Sequence, residues 1–195
     1  VFNLLSGKKK EISKVQLIEF YKKVISKLNY SIENSKNQDE LYNMFYSFEA
    51  EDYIKTGQIS KKGLPLLKIK SFKKKSLSNF LEGQMKAHKI LDYEKSVNLH
   101  QNVLESDLYD KKLNMFRVNG FLKDETFEIG RAKAFSPGWL ENGSIWIHMQ
   151  YKYLLELLKQ GLIDEFLKTF KETGILYQDP GVYKRSIFEN SSFIL

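Results

Sequence analysis

Stretches whose apolar positions recur every three or four residues alternate along this chain with polar stretches that interrupt them. From Ile12 to Leu28 the apolar side chains fall at 12, 15, 18, 21, 25 and 28, which is the spacing of one helical face. Residues 29–38 are polar and read as a loop. Asp39 is then placed to cap a second helix carrying Leu41, Phe45 and Phe48. Residues 56–75 hold Gly57, Gly63, Pro65 and a run of lysines, and read as a connector. Ser76 or Ser78 opens a third helix through Phe80, Leu81 and Met85, in which Gly83 signals close packing or a break. Asp92 caps a fourth, built on Val97, Leu99, Val103 and Leu104.

Between Leu108 and Phe127 the period shortens, with Leu113 and Met115 alternating and Asn119-Gly120 supplying a turn signal. A short hairpin or an ordered loop is expected there. Pro137-Gly138 is a firm break. Asn142 then stands as the N-cap of a helix running to about Gln160, with Gly161 at its C′ position. Leu154, Leu155, Leu157 and Leu158 make the second half of that helix strongly apolar. A further helix opens at Asp164, uses Phe166, Leu167 and Phe170, and ends by Gly174. Pro180 breaks the chain again, and Tyr183 onward starts one more helix. The expected fold is mostly α, a series of helix–loop–helix pairs in a single domain over residues 1–195, with no repeat at a short fixed period.

Composition narrows this picture. A hydrophobic share of 42% and an aromatic share of 14% belong to a folded chain rather than a disordered one. The absence of cysteine excludes disulfides and thiolate metal sites. Three histidines do not make a histidine-rich metal site. No apolar run approaches the roughly 20 residues of a membrane helix, and the N-terminal charges follow a very short apolar piece, the reverse of a signal peptide. A cytoplasmic protein without a membrane partner is therefore expected. The start at Val1 and the apolar end at SSFIL suggest a fragment of something longer. The net charge of +7 raises the possibility of nucleic-acid binding. The lysines are mixed with Asp and Glu, however, and the runs Lys8–Lys10 and Lys73–Lys75 lack the interleaved aromatics of a stacking platform. Solvated surface lysine is the reading adopted, without a nucleic-acid partner.

Candidate chemistry concentrates between Arg131 and Tyr153, which holds both tryptophans, one of three histidines and one of three arginines. A guanidinium grips carboxylate or phosphate with two prongs, where lysine offers a point charge. If Asn142 caps the helix, the N–H groups of Gly143, Ser144 and Ile145 point from its N-terminus and form an anion receptor. Glu141 then stands at the lip, while Ser144, His148 and Tyr151 share one face and Trp146 projects elsewhere. Such a set would make a carbohydrate-phosphate pocket. On local features alone the plainer reading is favoured: Glu141-Asn142 as a cap, His148 as a satisfied core histidine, and Trp139 and Trp146 as core residues. A second polar block, residues 179–194, places Arg185 among Ser186, Glu189, Asn190, Ser191 and Ser192. It reads either as a buried hydrogen-bonded network or as another capped helix start. No P-loop, dinucleotide fingerprint, HExxH, GxSxG or EF-hand motif is present.

The segments EIGRAKAFSPGWLENGSIWIHMQYKYLLELLKQGL, LESDLYDKKLNMFRVN and YKRSIFENSSFI resemble the C-terminal catalytic region of cellobiose phosphorylase-like proteins. These are inverting glycoside phosphorylases and their relatives, and the resemblance is to their long branch, from about Leu77 onward. It implies an (α/α)6 barrel, represented here by its later helix pairs. It also implies attack of inorganic phosphate, as co-substrate and with no cofactor, on the anomeric carbon of a β-glucoside. The product would be a sugar 1-phosphate of inverted configuration. Phosphate is already a nucleophile, so one carboxylic acid suffices and no second carboxylate need activate water. The family's Lys-Glu-Asn-Gly-Gly stretch and following histidine match Leu140 to Ser144 and His148. Glu141 would contact sugar hydroxyls and His148 the phosphate. The candidate sugar-binding set is thus Glu141, Asn142, Trp139 and Arg131, and the candidate phosphate-binding set His148, Ser144 and Arg185. Leu140 departs from the family's lysine, and the acid-bearing Asp-Trp-Asn-Asp motif does not occur, so the catalytic acid has no candidate in this chain.

Overall fold

A computed structural model describes residues 9–184 together with 193 and 194; Arg185 and its neighbours in the 185–192 block lie outside the described residues, as does the helix expected beyond Tyr183. The chain divides into two units, residues 1–35 and 36–195. The described part of the first is one helix, α1 (Lys14–Glu33), longer at its C-terminal end than the expected stretch. Its start is a capping box: the Ser13 hydroxyl accepts from the Gln16 N–H at 3.2 Å, and the Gln16 side chain accepts from the Ser13 N–H at 3.0 Å. No residue of α1 is buried.

The second unit mixes helix and strand. Strands β1 (Tyr46–Ile59) and β2 (Pro65–Ser76) form a long antiparallel hairpin. Then come α2 (Leu81–His88) and α3 (Tyr93–Glu105), followed by the two-residue strands β3 (Tyr109–Asp110) and β4 (Met115–Phe116), which pair with each other. A loop region carrying two 3-10 turns leads to β5 (Ile145–Trp146), α4 (Ile147–Lys159), α5 (Ile163–Thr173) and the single-turn α6 (Pro180–Tyr183). Strand β6 (Phe193–Ile194) pairs with β5.

The expected helix after Asp39 and the connector at residues 56–75 are both replaced by strand. The Gln84 side chain explains the first change. Its amide accepts from the Tyr42 N–H and donates to the Tyr42 carbonyl, each at 2.9 Å, and so holds Leu41-Tyr42 extended. From Tyr46 the β-favouring residues Tyr, Phe, Ile and Thr take over. Of the residues read as connector signals, Gly57 lies within β1 at a register irregularity between Lys55 and Ile59, and Gly63 and Pro65 are turn and strand-start residues. Gly63 has φ of +77° in the Ser60–Leu64 loop, and Pro65 opens β2, where a missing N–H costs nothing.

The helical expectations after residue 80 fare better. Asp92 caps α3, its carboxylate accepting from the Lys95 N–H at 2.9 Å. Gly161, with φ of +82°, follows α4, and Gly174 caps α5. Gly83 lies where α2 presses on the preceding segment, because a Cβ there would stand 3.0 Å from the Tyr42 carbonyl oxygen. The hairpin expected between Leu108 and Phe127 exists as β3–β4, but its reversal is at residues 111–114 and not at Asn119-Gly120. Helix α4 packs on both α2 and α5. Its Tyr153, Leu154 and Leu157 lie in the core with Leu81, Leu108, Met115 and Phe116. Each such aliphatic side chain contributes roughly 1.5–3 kcal/mol of burial.

Candidate functional site

The loop from Pro137 to Ser144 is held by two buried asparagines. The Asn142 side chain accepts from the Leu122 N–H at 2.9 Å and donates to the Phe135 carbonyl at 2.6 Å. The Asn119 side chain donates to the Glu141 carbonyl at 2.7 Å and accepts from the Gly143 N–H at 3.0 Å. Val118 adds a main-chain bond to the Ser144 carbonyl at 2.7 Å. Gly143 adopts φ of +75° with the Phe121 ring so close that a Cβ would meet it at 2.5 Å. Leu140 sits in the left-handed region at φ of +47°, a conformation costly for a branched side chain. Residues either side of Glu141 are thus fixed by hydrogen bonds, and Glu141 is the position whose side chain the loop displays.

Glu141 opens into a cleft of about 390 Å³ with walls from the base of the β1–β2 hairpin, the start of α2 and the two 3-10 turns, Phe127–Ile129 and Arg131–Ala134. Phe45, Tyr46 and Phe80 form its aromatic side, with the Phe45 and Phe80 rings edge to face at 5.0 Å. Ser47, Ser78 and Glu128 supply polar groups. Glu125 supports this rim: its Oε1 accepts from the Ser78 N–H at 2.7 Å and from the Ser78 hydroxyl at 2.8 Å.

Three polar atoms here are buried and have no hydrogen-bond partner: Ser47 Oγ, Glu125 Oε2 and Glu141 Oε2. An unsatisfied buried polar group costs roughly 1–3 kcal/mol, and more when charged. Carboxylate oxygens accept only, so the complement they lack is a hydroxyl or N–H donor. The other Glu141 oxygen lies 3.7 Å from the Arg131 guanidinium. Because Arg131 is 83% exposed, that ion pair contributes little. Aromatic side chains lining a cleft with a carboxylate acceptor are the composition of a site for a hydroxyl-bearing molecule with an apolar face.

The structure places the other candidates differently from the expected capped-helix arrangement. Asn142 does not cap α4; the N-cap is Trp146, and Asn142 is spent on Leu122 and Phe135. The reason is the β5–β6 pairing, which keeps Ile145-Trp146 extended and delays the helix until Ile147. The N–H groups of Gly143, Ser144 and Ile145 therefore do not form a helix N-terminus, and that of Gly143 is taken by Asn119. Ser144 is buried, its hydroxyl donating to the Leu140 carbonyl. His148 is exposed near the start of α4, its ring 5.5 Å from that of Trp146, so Trp146 lies beside it rather than elsewhere. His148 does not line the Glu141 cleft. Trp139 is 49% exposed and stacks edge to face on Phe135 at 5.3 Å. Arg185 lies outside the described residues.

The core histidines are His88 and His100. The His100 Nδ1 is 2.9 Å from the Tyr153 hydroxyl, whereas neither ring nitrogen of His88 has a partner. Burial, reinforced by His100, pushes the His88 pKa down to about 4, and burial with the nearby Lys168 charge does the same to His100. Burial also raises the Tyr153 hydroxyl well above its ordinary value.

The cleft residues Phe45, Tyr46, Ser47, Ser78 and Phe80, and Glu125 that holds Ser78, were not singled out by sequence as site residues. The available signal was the period-2 run from Tyr46, which separates the aromatic from the polar positions. No protein family, curated protein or solved structure matches this chain.

Proposed function

We propose that this chain is part of a cellobiose phosphorylase-like enzyme and that the cleft at Glu141 takes a β-glucoside. The observation that supports this most directly is the Glu141 Oε2 atom, buried without a partner beside an aromatic wall. A pyranose brings apolar C–H faces for Phe45, Tyr46 or Phe80 and hydroxyl donors for Glu141. The sequence resemblance independently gives Glu141 to sugar hydroxyls. In this reading the helix pairs α2–α3 and α4–α5 belong to the later part of an (α/α)6 barrel. Asn142 and Ser144 act by fixing the loop, Arg131 and Trp139 border it, and inorganic phosphate falls to His148 and Arg185. That phosphate role rests on the resemblance alone, since His148 lies outside the cleft.

The test is calorimetric titration of the chain with cellobiose and with glucose, repeated for Glu141→Gln. The variant keeps the shape and removes the charge, and a roughly tenfold or greater loss of affinity is expected. Its folding stability should change little, because the only charge partner of Glu141, Arg131, is largely exposed and the pair contributes little. Sugar binding that is identical in the two proteins would eliminate the assignment.

A second reading has its own support: Leu140 replaces the family's lysine, and no acid-bearing motif is present. The protein would then bind carbohydrate without turning it over. Release of inorganic phosphate from glucose 1-phosphate in the presence of β-glucosides, assayed on the parent protein, separates the two. Turnover removes the second reading, and sugar binding without turnover removes the first.

A further inference from the structure

The β1–β2 hairpin carries a property that the cleft does not use. Residues 53–75 contain eight lysines and no acidic residue; the 23 Lys and Arg that remain elsewhere are outnumbered by 24 Asp and Glu. With Glu49, Glu51 and Asp52 of β1 counted, the hairpin from Tyr46 to Ser76 carries a net charge of +5 of the chain's +7, concentrated in the part beyond Asp52, while the lysines elsewhere are mixed with Asp and Glu. Strand pairing brings its two halves together, with Ile54 opposite Lys68 and Lys55 opposite Leu67. At the base Lys70 pairs with Asp52 at 3.5 Å, and the Lys74 ammonium sits 3.5 Å from the Tyr46 ring centre. Further out, Lys55, Lys61, Lys62 and Lys68 surround apolar side chains. Ile59 is 70% exposed and Leu64 63%, and Tyr53, Ile54, Leu66 and Leu67 are each more than two-fifths exposed. The loop at the end is ordered by main-chain bonds, Ser60 N–H to the Leu64 carbonyl at 2.7 Å and Gly63 N–H to the Ser60 carbonyl at 2.9 Å.

Lysine alone on the open edges of a hairpin would be explained as protection against further strand pairing. That explanation leaves the apolar residues at the tip unaccounted for, because they are the opposite of protective. A nucleic acid would match the charge. It would offer nothing to Ile59, Leu64 and Leu66, and the hairpin has no arginine for base edges or phosphates. An anionic lipid surface matches both features. Apolar side chains enter the boundary between headgroups and acyl chains, while lysine stems lie along it with their ammonium groups among the phosphates.

We propose that the β1–β2 hairpin is a docking arm for an anionic membrane surface, with Ile59 and Leu64 entering the interface and Lys55, Lys61, Lys62 and Lys68 binding the headgroups. This inference is independent of the carbohydrate reading. The lysines give affinity that falls with salt, and the tip gives a component that salt does not remove.

The full chain is mixed with vesicles of phosphatidylcholine alone, and of phosphatidylcholine with phosphatidylserine, and partitioning is followed by flotation. Binding to the anionic vesicles only is expected. A Lys61→Glu/Lys62→Glu/Lys68→Glu variant should lose roughly a hundredfold or more, at about fivefold per lysine near the surface. An Ile59→Ser/Leu64→Ser variant should lose at least about tenfold. Leu64→Trp should show a blue-shifted emission on the anionic vesicles. All these positions are exposed, so circular dichroism should be unchanged. Three results would overturn the proposal. The chain could stay off anionic vesicles at low salt. Either hairpin variant could bind as well as the parent. Or duplex DNA could bind as tightly as the vesicles, with the serine variant unaffected on both.

Discussion

At the residue scale, two asparagine side chains organise the loop that presents Glu141. Asn142 is buried, and its amide satisfies a donor from Leu122 and an acceptor of Phe135 at once. Replacing it with alanine strands both groups without admitting a partner, so Asn142→Ala should cost about 2–4 kcal/mol. Urea denaturation measures this directly, and a loss below about 0.5 kcal/mol would show that the loop is held by other means. The sequence reads Asn142 as the cap of α4, since a short polar side chain after Pro137-Gly138 bonds main chain nearby, but the cap is Trp146 and Asn142 bonds main chain elsewhere. The sequence does not say which main chain: a helix N-terminus is sequence-local, while Leu122 is 20 residues away. Arg117 makes the same point. Its fork donates to the Asp110 carboxylate at 2.6 Å and to the Asp107 carbonyl at 3.1 Å, a two-pronged grip used to pin β3 and β4. Rarity of arginine therefore signals geometry, but not function in particular.

At the element scale, legibility follows the range of the forces that set each boundary. Helices α3 and α5 and the end of α4 are set by caps and glycines within a few residues, and they fall close to where periodicity places them. The start of α4 is set by pairing of Ile145-Trp146 with Phe193-Ile194, partners nearly fifty residues away, and no local pattern reports that. Leu41 to Phe48 reads as one apolar helical face only if the Gln84 amide is ignored. The turn into β5 supplies a sharp test. Gly143 combines a left-handed backbone with contact against the Phe121 ring. Gly143→Ala should therefore cost roughly 2 kcal/mol or more, from backbone strain plus displacement of the ring. The variant should also lose affinity for any ligand of the Glu141 cleft, because Glu141 and Gly143 share the Asn119 amide. A thermal midpoint equal to that of the parent would mean that the loop is looser than its hydrogen bonds imply.

At the scale of the whole molecule, the core of residues 36–195 sets a pH dependence. His88 is fully buried at the end of α2 with its ring 5.4 Å from Tyr153, and His100 joins the same ring from α3 through its Nδ1. Both imidazoles are neutral in the fold because burial holds them at about 4, against an ordinary value near 6.5. The charges nearest them are each other and Lys168, all of one sign when protonated, so nothing in the pairings named stabilises the imidazolium. Between pH 6.5 and 4 the unfolded chain takes up protons that the folded chain refuses. Stability is therefore complete above about 6.5 and falls as the pH drops toward 4, by at most about 1.4 kcal/mol per unit for each histidine. Urea midpoints measured between pH 7.5 and 5, above the range where carboxylates titrate, should slope downward with acid. His88→Phe removes one of the two titrations without breaking a hydrogen bond, since neither nitrogen has a partner. It should cut the slope roughly in half while leaving the fold stable at neutral pH. A flat profile in the parent would mean that water or a counter-charge reaches these rings, and an unchanged slope in the variant would assign the proton uptake elsewhere.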